Sequence, residues 1–151
     1  MTDLHEERMA LISILAERSP KGSVGRTGVM KFLYFLQTLR DVPLEYRFTL
    51  YSYGPFDAEV LSDLANAEAL EVVNSTIIQF SGGYGYEIRP GRNAKWLQER
   101  SAEFLSQRAT ITRHTLHLIA AATHWKQTTT TKLLDTHFEV TIAPSRESLH
   151  F

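Results

Sequence analysis

The chain contains no cysteine. That excludes disulfides, thiolate zinc sites, iron–sulfur clusters and cysteine nucleophiles together. It also lacks a charge excess of either sign: 16 Lys and Arg stand against 17 Asp and Glu, for a formal net charge of −1. A protein whose whole surface holds nucleic acid carries a global basic excess, and this one does not. Long hydrophobic runs are missing too. The longest, residues 29–39, is interrupted by Lys31, Gln37 and Thr38, and it is shorter than the ~20 residues that span a bilayer. The opening Met1-Thr2-Asp3-Leu4-His5-Glu6-Glu7 is acidic, where a secretory signal would be basic and then apolar. These absences predict a cytoplasmic protein with no membrane partner.

What is present describes one globular domain. Its 151 residues are 43% hydrophobic and 22% charged, and a chain of that length buries roughly 68–70% of its unfolded surface. Leu4, Met9, Leu11, Ile12 and Leu15 recur near helical spacing and predict a helix over 4–18. Ser19-Pro20-Lys21-Gly22-Ser23 breaks it. A second helix from Gly25-Arg26-Thr27 to residue 39 is apolar almost all round, which predicts the central, nearly buried helix. Residues 46–51 alternate as a strand does, and Tyr53-Gly54-Pro55-Phe56 reads as a turn fixed by its proline.

Asp57 can then cap a third helix over 58–69, with Phe56 and Leu61 at the spacing of a hydrophobic staple. Residues 71–80 and 84–88 flank Ser81-Gly82-Gly83 as a β-hairpin. Helices over 93–107, 112–125 and 129–138 complete the order. The expected fold is mainly α, within the α+β class. It comprises a winged-helix-like domain over 1–90, a small antiparallel β-hairpin, and a helical C-terminal extension over 91–151 packed on the same core.

Gly25-Arg26, Lys31-Phe32-Leu33-Tyr34-Phe35-Leu36, Tyr46-Arg47-Phe48 and Tyr53-Gly54-Pro55-Phe56 resemble the YwgA-like family of uncharacterised bacterial proteins. More distantly, the Lys-hydrophobic-Leu-Tyr helix followed by Tyr-Gly-Pro is similar to the Panacea or SocA-like antitoxin domain. The likeness covers roughly residues 4–90, with a fainter echo at His137-Phe138. It implies a winged-helix-like fold and an antitoxin or proteolytic-adaptor role rather than catalysis. The chain departs from the family pattern soon after His137-Phe138, where the family helix would continue.

Charge is distributed unevenly. Residues 57–71 carry Asp57, Glu59, Asp63, Glu68 and Glu71 with no Lys or Arg, a local −5 on the helix that a winged helix would lay in the major groove. Phosphates would be repelled there. Residues 89–113 carry Arg89, Arg92, Lys95, Arg100, Arg108 and Arg113 against Glu99 and Glu103, a local +4. The expected partner-binding residues are therefore Asp57, Glu59, Asp63, Tyr84, Arg89, Arg92 and Lys95. The first function they suggest is a non-catalytic regulatory module that holds another protein, such as a toxin, a protease or a repressor. The alternative is a DNA-binding regulator that uses the basic 89–113 surface. Complementary patches together with an apolar tail over 136–151 also predict a homodimer.

The remaining constellations point away from catalysis. His114, His117 and His124 fall on one helical stripe and could ligate a metal, but a stripe at the edge of a core explains them as well. Gly22-Ser23-Val24-Gly25-Arg26-Thr27-Gly28 lacks the Gly-Lys-Ser/Thr ending and the preceding strand of a phosphate loop, so it reads as a turn. Arg26 is expected to anchor that turn through a carboxylate or the Tyr53-Gly54-Pro55 backbone. Lys31, Tyr34, Tyr51 and Tyr53 form a polar-aromatic set without a nucleophile or a carboxylate pair at a readable spacing. No catalytic residue and no cofactor is expected.

Overall fold

The computed structural model describes residues 2–52 and 54–107. Helix α1 (Leu4–Arg18) opens at Asp3, whose carboxylate accepts the Glu6 N–H while Glu6 reaches back to the Asp3 N–H, closing a capping box. Two orphan donors are satisfied at once. Helix α2 (Arg26–Leu39) follows a seven-residue connection in which Val24 forms an isolated antiparallel bridge with Ile88. Strands β1 (Thr49–Tyr51) and β2 (Gly54–Phe56) make one small hairpin, α3 (Ala58–Ala69) follows, and β3 (Val73–Phe80) and β4 (Gly83–Pro90) make the larger one. Helices α4 (Ala94–Arg100) and α5 (Ala102–Gln107) end the described chain. The architecture is mixed α+β: five helices and two antiparallel hairpins among the described residues.

The predicted centre shifts by one helix. Residues 8–16 of α1 are all buried, as are residues 29–36 of α2, and α1 packs against α2, α3, α4, α5 and β4. The core gathers Leu11, Ile12 and Leu15 with Phe32, Leu33, Leu36, Val60, Leu64, Ile88 and Leu97. α1 is thus the hub, and α2 is its equally covered neighbour.

Three other expectations change. The strand expected over 46–51 shrinks to β1, because the Gln37 side chain takes both backbone groups of Tyr46. Its amide donates to the Tyr46 carbonyl at 2.9 Å and its oxygen accepts the Tyr46 N–H at 2.9 Å. A residue clamped by a side chain has nothing left for a ladder. The turn expected at residues 53–56 falls earlier, between Tyr51 and Gly54, since Gly54, Pro55 and Phe56 pair with Tyr51, Leu50 and Thr49. The single helix expected over 93–107 breaks at buried Ser101 (φ −100°, ψ 16°); serine is a weak helix-interior residue. Bonds from the Ser101 N–H to the Leu97 carbonyl and from the Leu105 N–H to the Ser101 carbonyl bridge the break.

The base of the β3–β4 hairpin is pinned. Glu71 holds a positive φ of 58°, its carbonyl accepts the Asn93 N–H, and the Gly91 N–H donates to the Val72 carbonyl. A Cβ on Gly91 would lie 2.2 Å from the Glu71 oxygen, so only glycine fits this crossing. No helix among the described residues is long and apolar enough to cross a membrane. The expected helices over 112–125 and 129–138, the apolar tail and the tail-mediated dimer all lie outside the described residues, as do His114, His117, His124 and Tyr53.

Candidate interaction surface

The acidic helix α3 is not the open anionic face that its sequence suggests. Asp63 is fully buried, so its expected role as a partner-binding residue is corrected. It lies on the stripe shared by buried Val60, Leu64 and Ala67 and turns into the seam with α1. There the Tyr46 hydroxyl donates to Asp63 Oδ2 at 2.7 Å, and His5 Nδ1 lies 3.0 Å from Oδ1. Arg8, only 2% exposed, completes the cluster. Its Nε donates to the Leu44 carbonyl at 2.7 Å, and its NH1 lies 3.0 Å from Glu59 Oε1 and 3.5 Å from Asp63 Oδ2. The guanidinium also stacks over the Tyr46 ring at 4.0 Å. Burial first, and then the bond to Asp63, push the Tyr46 phenol far above its ordinary pKa.

Glu59 is therefore the half-exposed arm of an internal network rather than a free charge. Asp57 is committed as well: it caps α3 by accepting the Glu59 N–H at 2.9 Å and also accepts the Arg47 N–H at 2.7 Å. The cap and helix boundary agree with the sequence reading, and Phe56 and Leu61 both pack on the core as a staple requires. The basic side is partly neutralised. Arg89 pairs with Glu87 and Arg92 with Glu71, while Lys95 is exposed. The other half of the 89–113 segment is divided: Arg100 approaches Glu6 at 3.4 Å, and residues 108–113 lie outside the described part.

The motif residues pack rather than react. Arg26 lies flat on the Tyr86 ring, with 3.6 Å from its guanidinium carbon to the ring centre, a cation–π contact; of the anchor expected for it, Tyr53 lies outside the described residues. Tyr34 is buried, with Phe48 edge-on at 5.4 Å, and burial pushes its phenol up to about 12. Lys31 is buried on α2, and desolvation lowers its amine to about 8. Gly25 is the N-cap of α2, and Gly54 and Pro55 are buried in β2. Gly25 thus keeps the turn role read for it, whereas Gly54 and Pro55 pack as strand residues rather than as the expected turn.

The feature that sequence reasoning undervalued is the tip of the larger hairpin. Residues 76–84 are all exposed, and Ile77 (64%), Phe80 (57%) and Tyr84 (67%) carry large apolar groups into solvent together with Ile78. Between Asn74 and Tyr86 there is no charged residue. Along β3 the exposed residues fall on both faces, and the strand pairs only with β4, so one edge of backbone N–H and C=O groups has no strand beside it among the described residues. Of the expected contact residues, Tyr84 belongs to this tip and Arg89 to its base. The alternation of polar and apolar residues marked the strands; adjacent Ile77-Ile78, which breaks that alternation, was the available sign that neither face is covered. Compared with known proteins, the chain matches no family model, no curated protein and no solved structure.

Proposed function

We infer that this chain is a non-catalytic regulatory module of winged-helix type that holds another protein, in the manner of an antitoxin or an adaptor. The observation that carries the reading is the uncharged apolar tip formed by Ile77, Ile78, Phe80 and Tyr84. Clusters of this kind rimmed by polar surface mark protein contacts, and an open strand edge adds main-chain bonds to a partner's extended segment. The winged-helix assignment is supported by the order of the elements: α1, the Val24 bridge, α2, α3, β3, β4, with β4 lying between Val24 and β3. The resemblance to YwgA-like and Panacea-type sequences supports the same role.

DNA reading is the weaker alternative. On α3, where a winged helix would meet the groove, Asp57 and Glu59 remain at the surface with no cation beside them on that helix, and the tip of the wing carries no charge to clamp phosphate. The two arginines nearest the wing are engaged by Glu87 and Glu71.

The test is quantitative co-purification from the native cells with wild type and with the double variant Ile77→Ser/Phe80→Ser. One stoichiometric protein is expected with the wild type and should be lost with the variant. Fluorescence anisotropy with random duplex serves as the counter-experiment. Tight binding with a steep negative salt slope, indifferent to the double variant, would replace this reading by the DNA-binding one.

A further inference from the structure

The β3–β4 ladder decides which backbone groups the hairpin leaves open. Phe80 and Gly83 close it and exchange both of their backbone bonds. From there the pattern alternates: Ile78, Thr76 and Asn74 turn their N–H and C=O toward β4, and Gln79, Ile77 and Ser75 turn theirs away. Ile88, which stands opposite Ser75, bears this out, since its N–H and C=O point outward and bond Val24 at 2.8 and 2.9 Å. The outer edge of β4 is therefore bridged. On β3 the outward backbone groups of Ser75, Ile77 and Gln79 have no partner among the described residues.

Open edges are normally blunted by lysine, proline, a bulge or brevity. β3 has none of these. It is eight residues long, pairs one for one with β4 throughout and holds no proline, and no charge occurs from Val72 to Tyr86. Such an edge is a template for another strand, and its own sequence is complementary to itself. In an antiparallel pair of two β3 edges centred on Ile77, Ile77 meets Ile77 of the second copy, Ser75 meets Gln79, and Thr76 meets Ile78. Every outward group of Ser75, Ile77 and Gln79 then finds a partner. Centring on Ile78 leaves Ser75 unpaired, and centring on Thr76 runs into buried Val73. Tyr86 stands opposite Ile77 within each hairpin, so a Tyr–Ile–Ile–Tyr row crosses the joined strands, a pairing of aromatic and β-branched residues that stabilises sheets.

We propose that two copies of this chain associate through their β3 edges, as a two-fold antiparallel pair centred on Ile77 that joins the two hairpins into one sheet. Because Val24 bridges the far edge of each hairpin, each copy uses its open edge on the other, and the assembly closes at two instead of growing. The proposal rests on reading the tip as a contact surface: the second copy takes the edge while no other protein's segment holds it, so self-pairing and partner binding compete. Two edge strands make an interface below ~1,200 Å², the range of transient contacts, and half-association falls on the order of 100 µM. Far below that concentration the chain is a monomer whose stability the tip does not set.

The test is sedimentation equilibrium of the purified full chain from well below to well above that midpoint, where the mass should rise from monomer to dimer and stop. Ile77→Lys and Ile77→Glu change an exposed side chain, so each should keep the wild-type circular dichroism yet stay monomeric, with like charges set against each other across the two-fold. Mixed in equal amounts, the two variants should associate again, because this register places position 77 opposite itself. Hydrogen exchange on the wild type needs no variant. At high concentration it should slow severalfold at the amides of Ser75, Ile77 and Gln79, and stay unchanged at Thr76 and Ile78, which bond β4 at every concentration. A wild type that stays monomeric or grows past the dimer, charged variants that associate alone or fail to associate when mixed, or exchange at Ser75, Ile77 and Gln79 that ignores concentration would overturn the proposal. Co-purification with Ile77→Ser/Phe80→Ser tests the contact surface separately: a tip that captures another protein on a chain that never pairs with itself would sink this proposal alone.

Discussion

At the seam between α1 and α3 the protein buries Arg8 and Asp63, whereas at the tip of the β3–β4 hairpin it leaves Ile77, Phe80 and Tyr84 in solvent. The seam is dense with partners: three residues address Asp63, and Arg8 meets a carbonyl, two carboxylates and an aromatic face. The tip has backbone pairing on one side and little else. Buried charge is retained where its removal would leave a partner stranded. Exposed apolar surface is retained where something else is meant to cover it. The first region therefore holds the fold, and the second is available for contact.

The sharpest way to break this division is at Arg8. Arg8→Ala should cost about 3–5 kcal/mol of unfolding free energy, because it removes the buried cation beside Asp63 and leaves that carboxylate buried with only the Tyr46 hydroxyl and His5. Urea unfolding monitored by circular dichroism gives the number, and a loss under 1 kcal/mol would mean that the seam is hydrated. Tyr46→Phe should cost less, about 1.5–3 kcal/mol, the range for one hydrogen bond to a charged group.

The same phenol sets a pH dependence. Tyr46 and Tyr34 keep their protons in the folded state to pH values well above that of a free tyrosine, so the folded state binds more protons above about pH 10. Stability should be fully present below that pH and fall as pH rises beyond it, with a shallower fall in Tyr46→Phe. An identical alkaline slope in the two proteins would show that the phenol ionises freely.

Lys31→Met tests the opposite sign. Below pH 8 both states carry the ammonium and burial penalises the folded one; between about 8 and 10.5 the folded amine is neutral while the unfolded one is still charged. The variant should therefore melt at a higher temperature than wild type at pH 7 in chloride buffer, and the gap should narrow as pH rises through that window. A gap independent of pH would point to packing alone. Glu59→Gln should have a smaller effect still, about 1 kcal/mol or less, since Glu59 is 44% exposed and solvent screens its pair with Arg8.

Much of the scaffold was legible because local rules fix it. The α1 and α2 boundaries, the Asp57 cap and the hairpin about Gly82-Gly83 follow from spacing, capping chemistry and turn residues within a few positions. The seam was not legible in the same way. Arg8 and Asp63 are far apart in sequence, and charge counted along α3 reads as surface. The sign was present all the same: Arg8 precedes Leu11, Ile12 and Leu15 on one helical face, and Asp63 shares a stripe with Val60 and Ala67. A charge on an apolar stripe needs a buried partner. The short β1 escaped for a different reason, since the Gln37 clamp on Tyr46 is a tertiary contact that no local pattern encodes.

The most direct test of the division is the stability of Ile77→Ser/Phe80→Ser in the full chain. If the tip is a contact surface that adds nothing to the folded monomer, urea unfolding of the variant should fall within about 0.5 kcal/mol of wild type. A loss of about 2 kcal/mol or more, the size expected when buried apolar side chains are truncated, would contradict the account, because it would mean that the chain itself already covers the hairpin.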